Sequence, residues 1–152
     1  MTERLAVGND LLRASARLTR WASRHASFEL PHAQARLLAL VEELGPARVS
    51  VLAQADNTSQ PAMTTALQRL EADGLVQRVS DPADARASLL SLTPRGRATL
   101  DRVRAARLAA VAPTLDALDD HDIARLRGAV EVMEDLLARF AASAPNPHRK
   151  ER

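Results

Sequence analysis

The segment that most restricts the fold of this chain is VQRVSDPADARASLLSLTPRG, residues 76–96. Two short apolar-rich runs, LVQRVS and SLLSLT, lie on either side of the turn sequence DPADARA. Runs of this length around a turn with proline and aspartate predict a β-hairpin. The stretch QPAMTTALQRLEADG directly before it predicts a helix with Pro61 in its first turn and its end at Gly74. The chain must therefore pack a small hairpin next to a helix.

A shorter helix precedes that one. Ser50 is expected to cap the helix VLAQAD, and NTS then forms a tight turn before Pro61. Two short helices joined by a tight turn are the helix-turn-helix pattern. The run ARVS before Val51 predicts a short extended segment.

Further helices are predicted on both sides of this motif. One begins at Pro31 and stops at Gly45–Pro46, a start and a stop that these residue types favour. A long helical region runs from Pro94 to about residue 118. We expect Pro113 to kink or break it, because proline lacks a backbone N–H donor.

The first and last helices each carry a regular apolar face. The last one is expected to be capped by Asp119, and the tail APNPHRKER, residues 144–152, is predicted to be disordered. Apolar and aromatic residues alternate at steps of three and four along both helices. The face in residues 9–28 consists of Leu11, Ala14, Leu18, Trp21, His25 and Phe28, and that of the last helix of Ile123, Leu126, Val130, Met133, Leu137 and Phe140.

Composition supports a helical core and excludes several kinds of function. Hydrophobic residues make up 46% of the 152 residues and aromatic residues only 2%, so we expect a core of Leu, Val and Ala. The absence of cysteine excludes disulfides, thiol catalysis and thiolate metal sites. Neither paired histidines at metal-ligand spacing, nor a nucleophile with a base, nor a glycine-rich phosphate loop is found. We therefore expect no enzyme, no metal and no cofactor.

The chain is expected to be cytoplasmic. No apolar run reaches the length of a membrane span. The N-terminal sequence MTERLAVGNDLLRAS lacks the apolar core of a secretion signal.

The predicted helix in residues 59–73 has one apolar side and one side of uncharged hydrogen-bonding groups. Glutamine can form two hydrogen bonds with adenine, and threonine offers a hydroxyl and a methyl group to base edges. Arg69, at the edge of this side, is suited to a phosphate. An incidental polar surface is the alternative interpretation of this helix taken alone. The uncharged side carries Gln60, Pro61, Thr64, Thr65 and Gln68.

The hairpin strengthens the case for DNA. A small wing beside a recognition helix reaches the neighbouring minor groove, which attracts arginine at A·T-rich sequence. Arg86 lies within the predicted turn sequence, near the tip of the hairpin, and Asp84 is expected to pair with its guanidinium and orient it. The alternative is a surface hairpin with an incidental ion pair.

These features together resemble the winged helix-turn-helix core of the MarR family of transcriptional regulators, over residues 50–96. The shared motifs are the Ser-x-Pro helix start, the Leu-Glu-x-x-Gly-Leu-Val helix end, the Asp-Pro-x-Asp-x-Arg wing and Leu-Thr-x-x-Gly. The flanking helices also follow the family's order. The resemblance implies one mainly α (α+β) domain: a winged helix-turn-helix lobe with a two-stranded wing in residues 31–96, and N- and C-terminal dimerisation helices in 1–30 and 97–143.

The resemblance also implies partners and site residues. It implies a homodimer with interlocked first and last helices that binds inverted repeats in double-stranded DNA. Its groove-facing positions are Ser59, Gln60, Pro61, Thr64, Thr65 and Gln68, with Arg86 as the wing arginine and Asp84 as its support. Small aromatic or anionic effectors commonly bind such proteins between the dimer helices and the DNA-binding lobe. The candidate contacts here are Trp21, His25, Phe28, His32 and Arg36, of which the first three are alternatively packing residues of the dimer.

Two departures from the family pattern weaken the expected electrostatics. Thr65 stands where many relatives carry arginine, and Ala85 replaces a frequent wing arginine. Residues 56–95 hold four arginines against five carboxylates, a net charge of −1, so we expect modest affinity and weak salt dependence. We predict a ligand-responsive repressor; the alternative is a helical dimer that binds a small molecule or a protein and has little DNA affinity.

Overall fold

The computed structural model describes residues 2–143, and that range contains six helices and one antiparallel sheet of two strands. The predicted mainly α fold with a two-stranded wing is confirmed. The chain divides after Val111 into two compact units. In chain order the elements are α1 (Glu3–His25), α2 (His32–Leu44), α3 (Val49–Ala55), α4 (Gln60–Ala72), β1 (Val76–Asp81), β2 (Asp84–Leu92), α5 (Pro94–Asp116) and α6 (Asp120–Ser143).

The core of the first unit joins α2, α3, α4, the sheet and the start of α5. Met63, Leu67 and Leu70 recur at steps of four and three, so they share one face of α4, and that face is buried. Burial of this face fixes α4 to the unit and leaves its opposite face in solvent. The largest buried side chains of this core are Leu38, Leu52, Met63, Leu67, Leu70, Leu90 and Leu100.

The junction between α4, β1 and α5 explains two glycines of the sequence motif. Gly74 ends the turn after α4 with φ +68°, a conformation that side chains disfavour. The Thr93 hydroxyl donates to the Gly74 carbonyl (2.7 Å) and accepts from the Gly96 N–H (2.9 Å). A Cβ at Gly96 would lie 1.9 Å from the Leu75 carbonyl oxygen. Only glycine allows this close approach of α5 to the start of the wing.

The predicted extended run ARVS, residues 47–50, is present only at Ala47 and Arg48, because α3 begins at Val49. Ala47 forms an isolated antiparallel bridge with Leu90 of β2. The Ala47 N–H donates to the Leu90 carbonyl (3.1 Å), and the Leu90 N–H donates to the Ala47 carbonyl (2.8 Å). The backbone before α3 is therefore attached directly to the wing.

Two helices of the first unit have boundaries that differ from the sequence prediction. Helix α1 begins at Glu3 and ends at His25, because the chain becomes extended at Ala26 (φ −77°, ψ 137°), so Phe28 lies beyond the helix. Arg48 rather than Ser50 is the N-cap residue of α3. The bridge at Ala47 holds the chain extended only up to Arg48, and Ser50 already lies inside the helix.

Pro113 lies inside α5 and does not break it, so the predicted break is wrong. It stands near the C-terminal end of the helix, where a missing N–H removes one hydrogen bond and little helix follows. In the second unit, α6 begins as predicted, since the Asp119 carboxylate accepts the Asp122 N–H at 2.8 Å. The predicted disordered tail, residues 144–152, lies outside the described residues.

The regular apolar faces of α1 and α6 are exposed in the single chain. On α1, Leu18 is 63% exposed and Trp21 is 43% exposed. No residue of α6 is buried. Its exposed large apolar residues are Leu126, Val130, Val132, Leu137 and Phe140.

Candidate nucleic-acid interface

The start of α4 is fixed by a side-chain cap. Ser59 is extended, and its hydroxyl accepts a hydrogen bond from the Ala62 N–H (3.3 Å). Pro61 occupies the first turn, where its missing N–H costs nothing. Ser59, Gln60 and Pro61 are all exposed. The helix therefore presents a defined N-terminal end to solvent.

The outer face of α4 carries the predicted uncharged groups. Thr65 and Gln68 are exposed, and Thr64 is half-buried. The Thr64 hydroxyl donates to the Gln60 carbonyl (2.8 Å), and the Thr65 hydroxyl donates to the Pro61 carbonyl (3.1 Å). Their protons are thus used within the helix, which leaves oxygen lone pairs and methyl groups to meet a partner. Such groups suit amino groups of bases and the thymine methyl.

The wing is an antiparallel hairpin with a tighter turn than the sequence predicted. β1 and β2 pair regularly from Val76–Leu92 to Ser80–Ser88, and Asp81 then pairs with Asp84. Three more residues of β2 than of β1 lie between those last two pairs, which is a bulge. Arg86 lies within this bulge, in β2 and not in the turn.

Arg86 is exposed, and among residues 2–143 its guanidinium has no hydrogen-bond or ion-pair partner. The predicted ion pair between Asp84 and Arg86 is wrong. One oxygen of Asp84, Oδ1, accepts the backbone N–H of Arg86 (3.1 Å), and Oδ2 lies 3.6 Å from Nη2 of Arg48. Asp84 therefore holds the backbone at Arg86, and its charge is matched by Arg48.

Arg48 is a residue of this region that the sequence did not single out. Its Nε and Nη2 donate to Oδ2 of Asp81 at 2.9 and 2.6 Å. Asp81 is 8% exposed and is the only buried charged residue in the part of the chain that the structure describes. The hydrogen bonds from Arg48, and then that from the Ala83 N–H, lower the pKa of the Asp81 carboxyl against the opposing effect of burial. Arg48 lies 33 residues before Asp81, so their positions in the sequence do not indicate that they pair. The only sequence signal for a special role of Arg48 is that an arginine stands at the start of a helix.

Other cations lie near α4 and the start of α5. Arg69 at the edge of α4 is exposed, as are Arg95 and Arg97. Arg104 instead forms an ion pair with Glu42 of α2. The hydrogen bond with Glu42 raises the pKa of Arg104. Exposed arginines beside the two predicted reading elements are suited to phosphate contacts.

The five predicted effector contacts do not form one cluster. Trp21 and His25 stack with ring centroids 4.1 Å apart, and His25 Nδ1 lies 2.8 Å from the Trp21 carbonyl oxygen. Phe28 and His32 meet edge to face at 5.1 Å. Arg36 forms a two-pronged ion pair with Asp56, including Nη2 to Oδ2 at 3.2 Å.

A cleft of about 490 Å³ in the first unit includes only Phe28 of those five residues. It lies between the α1–α2 loop, the start of β1 and the first turns of α5. Its lining combines an aromatic ring, a threonine hydroxyl and two arginines with two carboxylates. The residues are Ser27, Phe28, Glu29, Leu30, Asp73, Leu75, Arg95, Thr99, Arg102 and Val103.

Residues 2–143 contain no group of three or more His, Asp or Glu side chains arranged to hold a metal ion. No helix in the same range combines the length and the hydropathy needed to cross a membrane.

Comparison with known proteins agrees with this geometry. Residues 30–88 match the family model described as MarR family. The chain is 30% identical over 109 residues to the HTH-type transcriptional regulator YdgG of Bacillus subtilis, an alignment that covers 70% of each protein.

Solved structures share the fold. A MarR family protein from Bacillus stearothermophilus superposes with a TM-score of 0.70 at 23% identity, covering 91% of this chain and 99% of that one. RV1404 from Mycobacterium tuberculosis gives a TM-score of 0.72 at 23% identity, covering 97% and 100%. Proteins of this family are transcriptional regulators that bind DNA and form dimers. The chain belongs to the MarR family of winged helix-turn-helix, DNA-binding transcriptional regulators.

Proposed function

We propose that this regulator is a ligand-responsive repressor that binds an inverted-repeat operator as a homodimer. Each protomer inserts α4 into the major groove and the wing into the adjacent minor groove. The observation that carries the proposal is the combination of an exposed, uncharged hydrogen-bonding face on α4 with an exposed guanidinium, Arg86, in the neighbouring hairpin.

In the major groove, Gln68 is the principal reader. Its exposed amide forms two hydrogen bonds with adenine, while the outward lone pairs of Thr64 and Thr65 accept from base amino groups. Ser59, Gln60 and Pro61 approach the groove at the N-terminal end of α4, and the Arg69 guanidinium contacts a phosphate that fixes the register.

In the minor groove, Arg86 recognises the groove's width and potential. A guanidinium without a protein partner loses no ion pair when it enters the narrow, negative groove of an A·T-rich segment. Asp84 assists by holding the backbone N–H of Arg86 at 3.1 Å. The segment under the wing is therefore selected for A·T content without a defined base order.

The dimer is proposed to form through α1 and α6, within the proposed helical region of residues 1–30 and 97–143. Their apolar faces are exposed in the single chain, with Leu137 and Phe140 each 63% exposed. Contact between such faces removes apolar surface from water, which stabilises the dimer and pairs the two DNA-binding lobes, residues 31–96.

The effector is proposed to be a small aromatic acid in the cleft lined by Phe28, Arg95 and Arg102. The ring of such a molecule packs on Phe28 and its carboxylate meets an arginine. A ligand that binds one spacing of the two lobes more tightly than the other weakens DNA binding by that difference in affinity. Titration with benzoate tests this assignment, and Arg102→Ala should abolish any release of DNA that benzoate causes.

DNA reading is tested by selection of bound duplexes from a random pool, followed by affinity measurements on the selected sequence. Arg86→Ala is expected to weaken binding about tenfold. Arg69→Ala should weaken all sequences alike and reduce the salt slope by about one. Arg125→Ala, which removes an exposed arginine of α6 paired with Asp122, is the matched control and should bind like wild type. Equal affinity of wild type and Arg86→Ala would contradict the proposal.

Repression is tested with the DNA that flanks the protein's own gene. A reporter under this DNA should be expressed more strongly when the protein is absent or carries Arg86→Ala. Lower expression in its absence would indicate an activator instead.

A further inference from the structure

Arg48 occupies a position at which its residue type is unfavourable. It is the N-cap of α3, where Ser, Thr, Asp or Asn usually satisfies a backbone N–H, and it makes no side-chain cap. A cation at a helix N-terminus also faces the positive end of the helix dipole. The side chain of Arg48 extends to the wing and makes its contacts there.

The contacts of Arg48 join it to both aspartates that flank the wing turn. Its Nε and Nη2 donate to Oδ2 of Asp81 at 2.9 and 2.6 Å, and Nη2 lies 3.6 Å from Oδ2 of Asp84. Two donors of one rigid, planar guanidinium on one carboxylate oxygen restrict both partners more than a single lysine contact would.

Asp81 connects this guanidinium to the turn itself. Its second oxygen, Oδ1, accepts the Ala83 N–H at 2.8 Å, and the residue is 8% exposed. A buried carboxylate needs a charged partner, so the turn is stable in this arrangement only while Arg48 remains in place. On the other side of the turn, Oδ1 of Asp84 accepts a hydrogen bond from the backbone N–H of Arg86 at 3.1 Å.

In addition to the apolar residues at its base, which are buried in the core, the wing makes two polar attachments to the helix-turn-helix. One is the backbone bridge between Ala47 and Leu90, and the other is the Arg48–Asp81–Asp84 cluster. The bulge that contains Arg86 lies between them along β2, where regular pairing with β1 is interrupted. Burial of Val76, Leu90 and Leu92 in the core holds the base of the hairpin, whereas the Arg48–Asp81–Asp84 cluster holds its turn end. Loss of the cluster would therefore free the turn end without releasing the base.

We infer that Arg48 is a positioning residue for DNA binding, which fixes the wing on the helix-turn-helix so that Arg86 and α4 meet the duplex in one geometry. Arg48 acts through the wing and not on DNA directly. The inference rests on the proposed role of Arg86 in the minor groove, and it adds to that role a residue from outside the wing.

A double-mutant cycle tests the inference. Affinities for the duplex selected by the wild-type protein are measured for wild type, Arg48→Ala, Arg86→Ala and the double variant. We expect a loss of about fivefold for Arg48→Ala and about tenfold for Arg86→Ala. The double variant should lose about tenfold and no more, because a misplaced wing matters only while it carries Arg86.

The matched control is Arg36→Ala, which breaks another two-pronged Arg–Asp pair of the same unit, that with Asp56. Any loss it causes should be the same factor with and without Arg86. Arg48→Lys keeps a cation beside Asp81 but not the two-donor contact, so it should lie between wild type and Arg48→Ala. This variant also gives a folded protein to measure if Arg48→Ala is poorly folded.

A measurement without DNA separates positioning from contact with DNA. Amide hydrogen exchange at residues 81–88 should be at least about threefold faster in Arg48→Ala, with α4 unchanged. Equal exchange in both proteins would overturn the inference. Additive losses in the cycle, or a salt slope lowered by Arg48→Ala in the Arg86→Ala background, would overturn it as well, since both indicate a direct phosphate contact.

The two failures are distinguishable. If Arg86→Ala binds as tightly as wild type, the proposed role of the wing in DNA binding fails, and the exchange data alone decide whether Arg48 fixes the wing. If Arg86→Ala weakens binding but Arg48→Ala does not, the proposed function stands and the inference about Arg48 is wrong.

Discussion

Helix α4 and the wing are the two elements proposed to meet DNA, and α4 and the turn end of the wing are held in place by different forces. Met63, Leu67 and Leu70 bury one whole face of α4 in the core of the first unit. The wing turn contributes no large apolar side chain to that core. Its attachment is one buried carboxylate, Asp81, together with the guanidinium of Arg48.

Because of this difference, the positions of the two elements should respond differently to solution conditions. Apolar burial involves no charged group, so the position of α4 should not depend on the ionisation of a side chain. An ion pair depends on the charge of both partners and on their geometry. The position of the wing, and with it the contribution of Arg86, should therefore be the adjustable part of DNA recognition.

The largest effect is expected from the core of α4. Leu67→Ala removes a fully buried side chain and should lower the free energy of unfolding by about 3 kcal/mol, measured by urea denaturation. Thr65→Ala, exposed on the same helix, should change it by less than about 0.5 kcal/mol. Similar losses for both variants would show that α4 is not held by its apolar face.

Removal of Gln68, an exposed side chain proposed to contact bases, should affect DNA recognition and not the stability of the fold. Gln68→Ala should leave the free energy of unfolding nearly unchanged, since the side chain is exposed. It should reduce discrimination at one base pair by about 1–3 kcal/mol, measured by competition between duplexes that differ at that pair. A uniform loss on all sequences would contradict the assignment of Gln68 to base reading and of Arg69 to phosphate.

The smallest effect is expected from acid, and it should concern the wing only. The pKa of Asp81 is lowered in the folded protein, chiefly by hydrogen bonds from Arg48. The stabilisation from the charged carboxylate is therefore fully present above the ordinary aspartate pKa of about 3.9 and is lost as the pH falls through the lower folded value. The difference in stability between wild type and Asp81→Asn should stay constant from about pH 7 to about pH 5 and shrink below about pH 4.

Urea denaturation of both proteins across this range measures that difference. A decline that begins near neutral pH would indicate another titrating group, and no decline at all would mean that Asp81 is not stabilised in its charged form.

The elements that local sequence controls were predicted well. Gly74 at a positive φ, Pro61 in a first turn and Asp119 as a cap each act on their immediate neighbours, and the structure contains all three as expected. The uncharged face of α4 follows from the spacing of Met63 and Leu67, because burial of one face exposes the other.

The parts that could not be predicted depend on residues far apart in the chain. The partner of Asp81 is 33 residues away, so the sequence suggested the nearest cation, Arg86, as the partner of Asp84. Arg36 was likewise predicted to contact an effector, whereas in the structure it pairs with Asp56, which lies 20 residues further along the chain. The break predicted at Pro113 is absent for a different reason, because a proline near a helix end costs only one hydrogen bond.

Base substitution under the wing tests the central claim most directly. In the selected duplex, A·T pairs beside each α4 half-site are replaced either by G·C or by inosine·cytosine, which keeps the minor-groove pattern of A·T but resembles G·C in the major groove. If Arg86 reads the minor groove while α4 reads the major groove, G·C should weaken binding and inosine·cytosine should not, and Arg86→Ala should bind all three duplexes alike. Equal losses with G·C and inosine·cytosine would contradict the account.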